Sequence, residues 1–121
     1  MFIGSDICNF LGISQSFLRQ IIRLYGKFLD VNSRKPRARR FTVRDIEIIQ
    51  FIIDLRETGK NHAAIEELLK EKIIKLERLD LQRQIEILEN LIIRIEEKSN
   101  KDLEKLKQEI LLIQQTYNKQ V

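Results

Sequence analysis

Two stretches of the 121-residue chain carry side chains suited to binding, and both suit the same ligand. In the first, Gln15-Ser16-Phe17-Leu18-Arg19-Gln20-Ile21-Ile22-Arg23, helical spacing puts Leu18, Ile21 and Ile22 on one side. Gln15, Ser16, Arg19, Gln20 and Arg23 then share the other side, where amide, hydroxyl and guanidinium groups can hydrogen-bond base edges and phosphate oxygens. The second stretch, Arg34-Lys35-Pro36-Arg37-Ala38-Arg39-Arg40, is too charged and too poor in apolar residues to pack as a core element. Residues 19–44 hold nine Lys/Arg and a single acid, Asp30, a local excess that attracts a polyanion and releases its counterions. A solvated helix face would be polar too, so the first stretch is weak alone. Together the two suggest a nucleic-acid surface.

Other chemistries lack their residues. Cys8 is the only cysteine and falls within a helical pattern, which excludes an intramolecular disulfide and a thiolate metal cluster; a small buried apolar side chain is expected there. His62 is also alone, with no neighbours to make it a ligand or a general base. No catalytic residue, metal site or cofactor is therefore expected. No apolar run approaches the roughly 18 residues of a membrane span, and the first residues lead into a helix without a signal-peptide pattern. The expectation is a cytoplasmic, nucleoid-associated protein without membrane contact. The net charge of +4 is unevenly placed: up to Lys72 there are 13 Lys/Arg against 9 Asp/Glu, and beyond it 9 against 9.

The elements that position these groups are mainly α-helical. Ser5 is expected to cap a first helix over about residues 6–11, ended by Gly12. Ser14 caps a second over about 15–25, ended by Gly26, and the tight corner between them gives a helix-turn-helix. Phe28, Leu29 and Val31, paired with the region of Phe41, are expected to form a small two-stranded β wing with the basic stretch and Pro36 at its tip. Thr42 followed by Asp45 has the shape of a capping box for a helix over about 43–58. That helix is apolar on nearly every side and should be the core element; Gly59 stops it. Asn61 caps a fourth helix with Ile65, Leu68 and Leu69 inward.

Beyond about Ile73 glycine and proline are absent, and leucine or isoleucine recurs at alternating spacings of three and four. Leu81, Ile85, Leu88, Ile92 and Ile95 form one heptad seam; Leu103, Leu106, Ile110, Ile113 and Tyr117 form a second, out of phase with the first. The phase change marks either a stutter in one long helix or a break at Ser99-Asn100, and Ser99 with Asp102 has the capping-box shape that favours a break and a helical hairpin. A stripe this narrow needs a second helix to cover it. A second copy of the chain is the expected supplier, giving a homodimer through Leu81, Ile85, Leu88, Ile92, Ile95, Leu103, Leu106, Ile110 and Ile113, with room along the coil for another protein partner. Two domains follow, residues 1–72 for DNA and 73–121 for dimerisation.

Ile3-Gly4, Leu11-Gly12-Ile13-Ser14, Leu18-Arg19, Arg39, Phe41-Thr42, Asp45-Ile46, Gly59 and Ile65-Glu66-Glu67-Leu68-Leu69 occur in the order and spacing found in one family. Over roughly residues 3–70 the chain resembles the MerR (mercury-resistance regulator) family of bacterial regulators. The resemblance implies a winged helix-turn-helix head and a dimerising coiled-coil helix. It places Gln15, Ser16 and Arg19 at the major groove, and Arg39 and its neighbours at flanking phosphates or the minor groove. The chain departs from the pattern at Gln20-Ile21, where the family commonly has two aromatics, and at the wing tip, where the usual glycine is missing. No counterpart of the metal-sensing cysteines is present. A dimeric transcription regulator is the leading expectation. The alternative is a DNA-organising or segregation protein, or a phage or plasmid accessory factor; behind these stand a serine-recombinase fragment and a coiled-coil protein with a degenerate head.

Overall fold

The structure, a computed structural model, describes residues 1–35, 37–76, 81–95 and 100–120. The chain divides into two compact units, Met1–Arg78 and Leu79–Val121. The first contains α1 (Gly4–Leu11), α2 (Gln15–Tyr25), α3 (Val43–Glu57) and α4 (His62–Leu76); the second contains α5 (Leu81–Ile95) and α6 (Asn100–Gln120).

Most helix boundaries follow from local hydrogen bonds. Gly12 takes left-handed backbone (φ 66°), which an L side chain resists, and turns the chain from α1 into α2. Ser14 then accepts the N–H of Phe17 at 3.0 Å, so α2 starts where its cap dictates. Thr42 and Asp45 cap reciprocally: the Asp45 N–H donates to Thr42 Oγ1 at 3.1 Å and the Thr42 N–H to Asp45 Oδ2 at 2.9 Å. Gly59, at φ 85°, closes α3, and Asn61 Oδ1 accepts the N–H of Ala64 at the start of α4. At α1 the expected cap is wrong. The helix begins at Gly4 rather than after Ser5, because the Asp6 carboxylate reaches back to the N–H of Ile3 at 2.9 Å and fixes the start there.

The core of the first unit is α3. Ile46, Ile48, Ile49 and Ile52 are all but inaccessible, and Ile7, Leu18, Ile21, Tyr25, Phe41, Ile65 and Leu69 are buried with them. At about 1.5–3 kcal/mol per buried side chain, this cluster is the main stabilising element of the unit.

The expected β wing is not formed: among the described residues there is no strand. Phe41 exchanges two backbone hydrogen bonds with Phe2, Phe2 N–H to Phe41 O at 3.0 Å and the reverse at 2.7 Å, an isolated antiparallel bridge rather than a hairpin. The chain that was to supply the partner strand coils into two 3₁₀ turns, Gly26–Phe28 and Val31–Ser33. Local bonds hold these turns, with Asn32 N–H on Asp30 Oδ1 and Ser33 Oγ on the Asp30 carbonyl, and the Arg40 N–H to the Asn32 carbonyl at 3.1 Å is a single cross-loop bond that does not extend into a ladder. Ala38 sits at φ 54°, the left-handed region that glycine occupies freely and alanine at a cost of about 1 kcal/mol. The turn expected at Pro36 lies outside the described residues.

In the second unit the two seams belong to two helices, α5 ending at Ile95 and α6 starting at Asn100, and these pack on each other as a hairpin. The cap expected from Ser99 lies outside the described residues. Ile85, Leu88, Ile95, Leu106 and Ile113 are buried, while Leu81, Ile92, Leu103 and Ile110 are half-buried. Ile87 and Leu91 are buried as well, so the apolar face of α5 is wider than its heptad seam.

Leu106 (0% exposed) and Leu112 (58% exposed) lie less than two turns apart on α6 and should respond oppositely to truncation. Leu106→Ala is expected to destabilise the protein by about 2–5 kcal/mol and Leu112→Ala by less than about 0.5 kcal/mol, measured by urea unfolding followed through helicity.

Candidate nucleic-acid interface

The amphipathicity of α2 sorts its side chains cleanly. Leu18, Ile21, Ile22 and Tyr25 are buried, and Gln15, Ser16, Arg19 and Arg23 are exposed on the other side. Arg19 Nη2 donates to Ser16 Oγ at 3.3 Å, which ties the hydroxyl to the guanidinium on the exposed face. Gln20 is half-buried and lines a groove.

The basic stretch lies in the connection between α2 and α3. Arg34, Lys35, Arg37 and Arg40 are exposed and Arg39 is half-buried, its Nε donating to the Lys35 carbonyl at 2.7 Å. Arg40 Nη1 donates to the Arg39 carbonyl at 3.2 Å. Among the described residues none of these five cations is paired with a carboxylate. Arg34 is the one the structure brings to the end of α2. A methyl group built on Gly26 would stand 3.4 Å from its Cγ and Cδ, so the absence of a side chain at Gly26 leaves the arginine stem its place.

Two cations that the sequence reading passed over stand beside α2. The Arg56 guanidinium, in the last turn of α3, lies 5.2 Å from the centroid of the Phe17 ring, and Phe17 is in the first turn of α2. Arg56 and Lys60 line a groove of about 360 Å³ with Gln20, Leu24, Tyr25 and His62. The sequence signal was slight, two cations flanking the Gly59 stop. Only the packing of the α3 end against α2 gives them a place.

Lys27 and His62 are engaged otherwise. Both reach Glu66 Oε1, at 3.0 and 3.3 Å, and the His62 ring tilts against Tyr25 with centroids 5.0 Å apart. The hydrogen bond from Lys27 holds the Glu66 carboxyl below its ordinary range, aided by the charges of His62 and Lys70. Burial pushes the Tyr25 phenol and the Cys8 thiol above theirs, with Arg56 and Arg19 respectively working against the shift. Cys8 is the small buried side chain expected of it. Among the described residues no cluster of His, Cys, Asp or Glu could hold a metal ion, and no helix is long and apolar enough to cross a membrane.

An exposed polar face on the second helix of a helix-turn-helix, with unpaired cations in the following loop, has the chemistry of a DNA-binding head. Residues 5–72 match the model of the MerR HTH family of regulatory proteins. The chain belongs to that family. No curated protein and no solved structure matches it. Membership makes the chain a DNA-binding helix-turn-helix regulator. The family pattern falls on the unit described here from α1 to α4, including the turn at Gly12 and the reciprocal cap at Thr42 and Asp45.

Glu66 has an acid-side consequence. A carboxyl whose folded pKa lies below its ordinary 4.5 contributes stability that is present above that value and is lost as the pH falls through the folded pKa. Glu66→Gln should therefore lower the melting temperature slightly at neutral pH. It should also make the fall below pH 4.5 shallower than in the unaltered protein, as read by thermal melts across the acid range.

Proposed function

We propose that the protein is a dimeric, sequence-specific DNA-binding transcription regulator. In this reading α2 enters the major groove with Gln15, Ser16 and Arg19 towards base edges, while Gln20 and Arg23 lie further along the same helix. Arg34, Lys35, Arg37, Arg39 and Arg40 engage phosphates on one flank of α2, and Arg56 and Lys60 do so on another. The observation that carries the reading is that the loop cations have no carboxylate partners and stand beside a helix that exposes Gln15, Ser16, Arg19 and Arg23. Five cations without carboxylate partners repel one another, and a phosphate backbone relieves that repulsion.

The dimer is proposed to form through the C-terminal hairpin. The support is the state of the seams, whose members Leu81, Ile92, Leu103 and Ile110 are half-buried within one chain, with Tyr117 41% exposed. A second hairpin laid on this stripe would cover it. Two heads then bind together, and the second binding event becomes effectively intramolecular.

Loop arginines and α2 residues are expected to fail differently when specific and scrambled duplexes are titrated at several salt concentrations. Replacing Arg37 and Arg40 by Ala should weaken binding to both duplexes and reduce the salt slope by about 0.9 per lost phosphate contact. Replacing Gln15 or Ser16 should instead reduce the preference for the specific site by about 1–3 kcal/mol per lost bidentate base contact at most, with the salt slope unchanged. Full retention of site preference in the Gln15 and Ser16 variants would move the reading of sequence away from α2. For the dimer, Ile92→Asp combined with Ile110→Asp should give monomers at micromolar concentration by light scattering, with helicity retained. A persisting dimer would place the interface elsewhere.

A further inference from the structure

The basic loop lacks a strand ladder, yet both of its ends meet at a single side chain. Asp45, 0% exposed, accepts the N–H of Asp30 on Oδ1 at 2.9 Å and the N–H of Thr42 on Oδ2 at 2.9 Å. Between those two amides lie all five loop cations. The Asp45 N–H is itself bound to Thr42 Oγ1, so the carboxylate is fixed at the first turn of α3. The reciprocal pair between Thr42 and Asp45 accounts for the helix cap. The bond to Asp30, from fifteen residues away, contributes nothing to the start of α3 and joins the loop entrance to its exit. Inside the loop, among the described residues, the further links include the Arg40 N–H to the Asn32 carbonyl at 3.1 Å and the local bonds around Asp30, Lys35 and Arg39.

We propose that Asp45 is a positioning residue for DNA binding, a buried carboxylate clamp that holds the basic loop closed against the mutual repulsion of its cations so that they meet the phosphates as a set. The inference rests on the DNA-binding reading for its consequence, but the clamp is observable without DNA. Asn at position 45 keeps the shape and one acceptor oxygen. Its amide nitrogen cannot accept, so one of the two backbone N–H groups loses its partner and the loop is released at one end.

Limited trypsin digestion of the full chain, read by mass spectrometry, tests this directly. Asp45→Asn should speed cleavage after Arg37, Arg39 and Arg40 by about tenfold relative to cleavage elsewhere in the chain. Thr42→Ala removes the hydroxyl cap but neither bond to the carboxylate, and should leave that ratio unchanged. An unchanged ratio in Asp45→Asn, or an equal rise in Thr42→Ala, overturns the clamp. If Asp45→Asn does not fold, amide exchange in the unaltered protein decides: the N–H groups of Asp30 and Thr42, both outside the α-helices, should exchange slowly, and exchange at the rate of open loop amides overturns it. The binding arm uses the duplex titration. Asp45→Asn should reduce the salt slope towards that of the Arg37 and Arg40 double variant while keeping the preference between specific and scrambled duplexes. A loop that opens with the slope unchanged overturns the positioning role. Absence of any DNA binding by the unaltered protein defeats the functional reading instead and leaves the clamp to the digestion.

Discussion

The first unit depends on the need to cover one helix on nearly all sides. Ile46, Ile48, Ile49, Ile52 and Ile53 point in too many directions around α3 for any single neighbour to bury them. Residues from α1, α2 and α4 share the burial, and Phe2 and Phe41 are brought in with them. The helix-turn-helix corner follows from this. With its apolar side committed to the core, α2 has one remaining side, and that side must be compatible with water or with a polar ligand.

The same constraint explains why the binding groups sit where they do. A residue on α2 cannot be both part of the core and a reader of bases, so Leu18 and Arg19, adjacent in sequence, end with opposite exposures. The loop cations are a different case, because no amphipathic element orients them. Their arrangement is set by hydrogen bonds at the base of the loop and by the Phe2–Phe41 bridge, which anchors the loop exit to the start of the chain.

What was legible in the sequence were the features whose causes lie within a few residues. The caps at Ser14, Thr42 and Asn61 each span three residues from side chain to backbone N–H, and the helix stop at Gly59 is a left-handed residue; types and spacing sufficed. The start of α1 was missed although it is equally local, because the cap was placed on Ser5 and not on the Asp6 carboxylate that satisfies the Ile3 N–H. The wing was expected where none forms, and the reason is non-local. Phe41 has a backbone partner, but the partner is Phe2, and no short-range pattern distinguishes it from the apolar run at Phe28 to Val31. Arg56 and Lys60 were passed over for the same reason, since their nearness to Gln20 and Leu24 exists only after α3 packs on α2.

The tail shows how one pattern permits two arrangements. A heptad seam states that an apolar stripe needs a covering helix, without stating which chain the helix comes from. Here α6 covers α5 within the chain, and Leu88 and Leu106 are removed from solvent entirely. Two packed helices cannot enclose every apolar residue of two seams, however, because each stripe is wider than the line of contact between two cylinders. Leu81, Ile92, Leu103 and Ile110 are therefore half-buried, and Ile85 and Tyr117 line the same open groove between the start of α5 and the end of α6. A partner that completes this packing needs a matching apolar stripe at heptad spacing. A second hairpin of the same sequence carries one, which is why the proposed dimer is built from four helices rather than two.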